Sequence, residues 1–252
     1  MSRTYEAQDA AERYDAARRL PEATLALWMD TLKRHVFSPS VDSILDLGAG
    51  TGIWSALLGQ RYNAGVVALE PSEAMREIGG RHASHRVMWL KGIAERIPTS
   101  GASFSLVWMS QVFHHLDNRA AALQEIRRVL KPRGFLAIRN ATRENDDETG
   151  WFACFPEARQ LDRSRIPLRN EVVELVCAEG FKVLAIETVH QQTAPDYATF
   201  YERISRRALS VMMSISDEAF ETGLRRLKAW TELQPADIPV VEPLDLFVFQ
   251  AV

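Results

Sequence analysis

Residues 45–52 read Leu-Asp-Leu-Gly-Ala-Gly-Thr-Gly. An apolar run ends at Leu47, a glycine then occupies every second position, and a helix-forming stretch runs from Ile53. Glycine has no Cβ, so Gly48, Gly50 and Gly52 let the chain turn sharply and approach a ligand closely. The helix that follows begins with N–H groups that have no partner inside it. Strand, glycine turn and helix in that order build a ligand cradle at the carboxyl end of the first strand of an α/β sheet.

The rest of the chain supports such a sheet. Short apolar runs at Ser43–Leu47, Gly65–Leu69, Val87–Lys91, Phe104–Met109 and Phe135–Asn140 read as strands. Helical segments separate them: Ile53–Gln60, Ser72–Gly79 with Ser72 as N-cap and Gly79-Gly80 as stop, and a helix capped by Asp117 or Asn118 that carries a Leu123, Ile126, Leu130 stripe. Alternation of this kind predicts a parallel sheet with right-handed crossovers. A helix at Asn170–Glu179, a strand at Phe181–Val189 and a last strand at Leu244–Val252 complete it. Residues 5–36 read as helices, with Leu25, Trp28, Met29, Leu32 and Val36 at helical spacing.

At 252 residues, the chain is expected to be one domain. Three parts lie outside the minimal sheet: an N-terminal helical cap (1–38), a polar then aromatic stretch (141–168), and two amphipathic helices (195–240). The last two follow strand ends on the ligand side and are expected to form a lid over the substrate. A net charge of −3 gives no basic field for nucleic acid. Cys154 and Cys177 are too few for a disulfide framework or a zinc site, so no metal is expected. The charged N-terminus is not patterned as a signal peptide, and no apolar stretch is long enough to span a membrane. A cytoplasmic location is the expectation.

The glycine spacing discriminates between cofactors. The dinucleotide fingerprint is G-x-G-x-x-G. Here the third glycine comes one residue early, and Ile53 stands where a nicotinamide oxidoreductase needs glycine. The segment closely resembles motif I of the class I S-adenosylmethionine-dependent methyltransferases. The resemblance covers residues 40–140 well and the remainder by looser topology. It is closest to the ubiquinone/menaquinone-type small-molecule subgroup. It implies a seven-stranded Rossmann-like sheet in the order 3-2-1-4-5-7-6 with the last strand antiparallel. It also implies methyl transfer from S-adenosylmethionine, with S-adenosylhomocysteine as product, to a small-molecule acceptor. A protein that binds this cofactor without transferring methyl shares the same loop and is the alternative reading.

The resemblance assigns residues one by one. Asp46, Gly48, Ala49 and Gly50 would lie against the methionine part and ribose. Glu70, 18 positions after Gly52 at the end of the second strand, would accept hydrogen bonds from both ribose hydroxyls. Pro71 and Met75 would rest against adenine. Ile93 departs from the pattern, since related enzymes carry there an aspartate for the adenine amino group. Ala94 could still meet the adenine edge through its backbone, and Glu95 could substitute for the missing acid. Gln111 opens a loop that passes under the methionine part, and Tyr14 and Arg18 belong to an N-terminal helix that closes over the cofactor. An Arg at position 18 can pair with the methionine carboxylate.

That loop continues through His114 and His115. Histidine titrates near neutrality and can take a proton from an acceptor, so both are catalytic candidates. The Asn-Pro-Pro-Tyr sequence of nucleobase amino-methyltransferases is absent here, which argues against a nucleic-acid base. Arg139 and Asn140 end the fifth strand and are candidates for the substrate side. A buried arginine demands an acidic partner from protein or substrate. Trp151, Phe152, Tyr197 and Tyr201 suggest an aromatic or apolar acceptor beneath the lid. The arginines at 203, 206, 207, 225 and 226 read as solvated helix surface.

Overall fold

The computed structural model describes residues 20–37, 40–81, 84–146 and 149–252. Tyr14, Arg18 and most of the expected N-terminal cap lie outside them. The first described helix is α1 (Glu22–His35), followed by β1 (Ser43–Leu47), α2 (Ile53–Tyr62), β2 (Gly65–Leu69), α3 (Glu73–Arg81), β3 (Val87–Leu90) and β4 (Phe104–Ser110). Then come α4 (Arg119–Val129), β5 (Leu130–Asn140), the short α5 (Arg143–Asp146), α6 (Pro156–Arg165), α7 (Arg169–Ala178) and β6 (Phe181–Ala194). Helices α8 (Tyr197–Ser205), α9 (Ser210–Met213) and α10 (Asp217–Glu232) precede β7 (Val240–Ala251).

The seven strands form one sheet in the order β3-β2-β1-β4-β5-β7-β6. The first five pair in parallel, and β7 pairs antiparallel with both β5 and β6. This is the order that the resemblance implies. Its cause is visible strand by strand. Ile44, Leu106 and Trp108 join one core layer with Trp28, Leu32 and Leu58, while Leu45, Val107 and Met109 join the other with Leu123, Ile126 and Val176. Side chains alternate across a strand, so apolar runs supply both layers at once. A third apolar cluster joins Trp151, Phe152 and Phe155 to Phe200, Ile204, Phe220 and Leu227 of the helical segment between β6 and β7.

Several boundaries differ from the sequence reading. Gly79 and Gly80 do not stop α3, which runs to Arg81. Gly79 is instead a seat for the Trp89 ring of β3, which a Cβ there would overlap. Ser72 does cap this helix, its Oγ accepting from the Met75 N–H at 3.3 Å. Asn118, rather than Asp117, caps α4 by accepting from the Ala121 N–H. Strand β5 begins already at Leu130, which pairs with Phe104 before a register shift at the Lys131–Gly134 turn. Both β6 and β7 extend well past the expected ends, because their antiparallel pairing continues from Phe181↔Ala251 to Ala194↔Val240.

Candidate active site

Strands β1 and β4 are neighbours, but the chain leaves them toward opposite edges of the sheet. That divergence opens a crevice at their carboxyl ends, the usual ligand position in open α/β sheets. The glycine loop fills one side of it. Gly48, Gly50 and Gly52 have φ of 73°, 58° and 81°. All three lie in the left-handed region that side chains rarely adopt, which is why the sequence needs a glycine at every second position. The N–H groups of Gly48 and Ala49 both donate to the Leu69 carbonyl, at 2.8 and 3.1 Å, and so tie the loop to the end of β2.

Glu70 secures the loop from the next position. Its Oε2 accepts from the Gly50 N–H and its Oε1 from the Ser72 N–H, both at 2.9 Å. Burial raises its pKa, and the two amide donors act against that shift. Asp46 lies beneath the loop instead of in it. It is buried, and its Oδ2 accepts from Ser55 Oγ at 2.5 Å. Desolvation pushes its carboxyl up to about 7, with the nearby Glu70 charge adding to the effect. The expectation that Asp46 touches the cofactor therefore gives way to a supporting position that joins β1 to α2.

A cleft borders this loop. Gly48, Ala49, Thr51 and Trp54 form one wall, and Ser110, Gln111, Arg139, Gln191 and Arg203 form the other. Thr51 Oγ1 is buried there without a hydrogen-bond partner among the described residues. Arg139 is buried between two indoles, its guanidinium carbon 4.6 Å from the Trp28 ring centre and 5.0 Å from that of Trp54. Its Nη1 donates to Ser110 Oγ (3.0 Å) and its Nη2 to Gln191 Oε1 (2.5 Å). It belongs to this cleft and not, as the sequence suggested, to the substrate side. Arg203 also departs from expectation. It does not sit on a solvated face but donates through Nη1 to the Thr193 carbonyl and reaches the cleft.

Gln111 sits where β4 ends. Its φ is +58°, a costly angle for a residue with a side chain. Two bonds hold it there, one to β5 and one just past its end: its N–H donates to the Arg139 carbonyl (2.7 Å), and its Oε1 accepts from the Ala141 N–H (2.9 Å). Beyond it lies a second cavity, walled by His114, Asp146, Trp151, Phe152, Phe200 and Glu242 among others. Gln111, Gln191 and Arg203 line both spaces.

His114 enters this second cavity from a short 3-10 turn, Phe113–His115. Its Nδ1 is 3.0 Å from Asn140 Oδ1, and Asn140 Nδ2 donates to the Ala141 carbonyl at 2.7 Å. Asn140 is fully buried and stands behind His114, not in the cavity wall. His115 stacks beside His114 with ring centres 4.0 Å apart and is not part of the wall. Trp151 and Phe152 line the cavity. Tyr197 does not: its ring packs edge-on against Trp230 at 5.3 Å. Tyr201 likewise joins the core of the helical segment, and Phe200 takes the wall position between them.

The remaining expected positions cluster around the outer ends of β2 and β3. Met75 is buried against Ala74 and Ile78. The Pro71 carbonyl accepts from Arg76 Nη1. Ala94 is buried, Ile93 is exposed, and Glu95 turns away to accept from the Asn118 N–H at 3.4 Å. Glu95 is therefore not the replacement for the acid missing at position 93. Among the polar residues of the two spaces that sequence reading did not assign to a site are Thr51, Asp146, Gln191 and Arg203. Only Gln191 carried a signal, since it continues the inward period of Val189 and Thr193 along β6.

Comparison with known proteins agrees with this geometry. Residues 45–138 match a family model described as a methyltransferase domain. The chain is 26% identical to the 27-O-demethylrifamycin SV methyltransferase of Amycolatopsis mediterranei, over 86% of this chain and 82% of that protein. It is 30% identical to a ubiquinone/menaquinone biosynthesis C-methyltransferase of Rubrivivax gelatinosus, over 55% of this chain but only 61% of that one. Among solved structures, a candidate methyltransferase from an antibiotic biosynthesis pathway of Anabaena variabilis shares the fold, with a TM-score of 0.72 at 20% identity over 93% of this chain and 99% of the other. The alternating glycine loop, the 3-2-1-4-5-7-6 sheet and the matched segment together agree with an S-adenosylmethionine-dependent methyltransferase acting on a small molecule.

Proposed function

We propose that the cleft at the glycine loop holds the methyl donor, that the cavity beyond Gln111 holds the acceptor, and that transfer takes place where the two meet. The observation that carries this reading is the shared wall of Gln111, Gln191 and Arg203. A direct displacement needs nucleophile, methyl and sulfur in line with water excluded, and two adjoining spaces supply that arrangement.

S-adenosylmethionine supplies a methyl group already activated by positive sulfur. The residues at the glycine loop fit its amino-acid end. Arg139 is a buried cation for the carboxylate, and the unpartnered Thr51 hydroxyl is a polar contact beside it. Each Glu70 oxygen accepts one amide, and a carboxylate oxygen has a second lone pair, so both remain able to take a ribose hydroxyl. Adenine would lie against Pro71, Met75, Ile93 and Ala94, held by apolar contact and backbone instead of an acid.

On the acceptor side, His114 is the proton acceptor. Asn140 directs its Nδ2 at the Ala141 carbonyl, so its Oδ1 faces the imidazole and can only accept. The neutral ring therefore carries its proton on Nδ1 and its basic lone pair on Nε2. The ring walls of Trp151, Phe152 and Phe200 suit an apolar or aromatic molecule. Residues 141–168 and 195–240 would serve as the lid that encloses it.

Calorimetric titration followed by labelled methyl transfer tests the reading. S-adenosylhomocysteine should bind and NADH should not. The labelled cofactor incubated with a metabolite extract should yield a labelled small molecule. Absence of S-adenosylhomocysteine binding would overturn the assignment of the donor cleft. Binding without any labelled product would favour the reading in which the protein uses the cofactor without transferring methyl.

A further inference from the structure

We propose that Asp146 anchors the acceptor by accepting a hydrogen bond from a hydroxyl group, which makes the acceptor a neutral, hydroxyl-bearing aromatic molecule. The inference rests on the acceptor cavity assigned above.

Asp146 ends the short helix α5 and is 5% exposed. Its Oδ2 is taken twice, by Arg159 Nε at 3.1 Å and Arg163 Nη1 at 2.6 Å. Its Oδ1 is buried with no hydrogen-bond partner among the described residues, and Asp146 lines the acceptor cavity. A buried carboxylate oxygen without a donor is unfavourable, and a site so built discriminates strongly for a ligand that provides one. The other polar group of the aromatic wall is already committed, since Trp151 Nε1 donates to Glu242 Oε1 at 2.8 Å.

Charge decides which donor fits. The cavity lining carries the carboxylates of Asp146, Asp162 and Glu242 and the guanidinium of Arg203, and Arg159 and Arg163, which pair with Asp146 without lining the cavity, bring the count to three of each sign. At Asp146 itself two guanidiniums face one carboxylate, and an ammonium group would meet like charge there. A neutral hydroxyl brings the donor without the charge. The rings of Trp151, Phe152 and Phe200 then offer edges and faces to an aromatic body.

The test compares phenol and 2-naphthol with their methyl ethers, anisole and 2-methoxynaphthalene. Affinities are read by ligand-observed NMR on protein saturated with S-adenosylhomocysteine, whose binding is first established by calorimetry. That order separates the two readings: a protein that binds S-adenosylhomocysteine but shows no hydroxyl preference defeats the Asp146 anchor alone. The wild-type protein should prefer each hydroxyl compound by about tenfold or more. The Asp146→Asn variant turns a donor toward the cavity and should bring each pair to near parity, with S-adenosylhomocysteine affinity unchanged. Equal wild-type affinities, no binding of 2-naphthol, or a preference that survives in Asp146→Asn would each overturn the proposal. Should the variant fail to fold, the wild-type comparison decides by itself.

Discussion

His114 Nδ1 lies 3.0 Å from Asn140 Oδ1, and the Asn140 amide is locked in that orientation by its bond to the Ala141 carbonyl. One buried amide thus selects the tautomer of the imidazole in the proposed acceptor cavity. His114→Ala should lower kcat by about 10²–10⁴-fold, the span of a lost general base, with S-adenosylhomocysteine affinity unchanged. Asn140→Ala should lower kcat less and leave KM for the donor alone. Steady-state kinetics on both variants checks this, and an unchanged kcat in His114→Ala would remove the imidazole from the reaction.

Glu70 holds two backbone amides and, in the proposed complex, two ribose hydroxyls. Glu70→Ala should therefore weaken S-adenosylhomocysteine binding by about 1–3 kcal/mol. It should also lower the melting temperature of the protein without ligand, because the Gly50 and Ser72 N–H groups lose their acceptor. Calorimetry and thermal denaturation read the two effects separately. Unchanged affinity would refute the ribose assignment.

Arg139 can be tested with a truncated ligand. 5′-Methylthioadenosine keeps the adenine, ribose and sulfur but lacks the carboxylate. Arg139→Met should weaken S-adenosylhomocysteine by about 1.5–3 kcal/mol, the scale of a hydrogen bond to a charged group, and leave 5′-methylthioadenosine nearly unaffected. An equal loss for both ligands would place the role of Arg139 in the packing of Trp28 and Trp54 instead.

Asp46 makes stability depend on pH. Its carboxyl would lose its proton near 3.8 in the unfolded chain and does so at about 7 in the fold. Between those values the folded state binds the extra proton, so this residue's contribution is full in acid and is lost as pH rises toward 7. Asp46→Asn removes the titration. The melting temperature of the wild type relative to Asp46→Asn should fall between pH 4 and pH 8. A difference that stays constant, or rises, would contradict a protonated Asp46.

Gly79 is a packing position. Gly79→Ala drives a methyl group into the Trp89 ring and should cost about 1–3 kcal/mol, as other overpacked sites do. Adding Trp89→Leu should recover part of the loss. Chemical denaturation of the single and double variants measures both.

The sheet was readable because its central strands are buried on both faces, and unbroken apolar runs such as Val66–Leu69 and Leu106–Met109 report that directly. The glycine loop was readable for a backbone reason: glycine takes the left-handed angles at 48, 50 and 52 without the strain a side chain would bring. The acceptor side was not. Arg203 has the helical spacing of a solvated charge, and only the packing of α8 against β6 brings it to the clefts. Tyr197 and Tyr201 share a helix with Phe200, but only about a sixth of a turn separates Phe200, which faces the cavity, from Tyr197, which faces Trp230. Asp146 sits in a polar stretch whose composition looks like loop, and its burial arises from arginines 13 and 17 positions later.

The helices α8, α9 and α10 leave the sheet at Ala194 and return at Val240, and those two residues are paired neighbours. A segment whose two ends are already stapled side by side can be lengthened, shortened or exchanged with little disturbance to the strands that carry it. In the proposed arrangement that segment carries part of the acceptor wall, including Phe200, and Arg203 is its one named residue that also reaches the donor cleft. Grafting a foreign segment between those two positions is the natural way to redirect this enzyme to a new molecule.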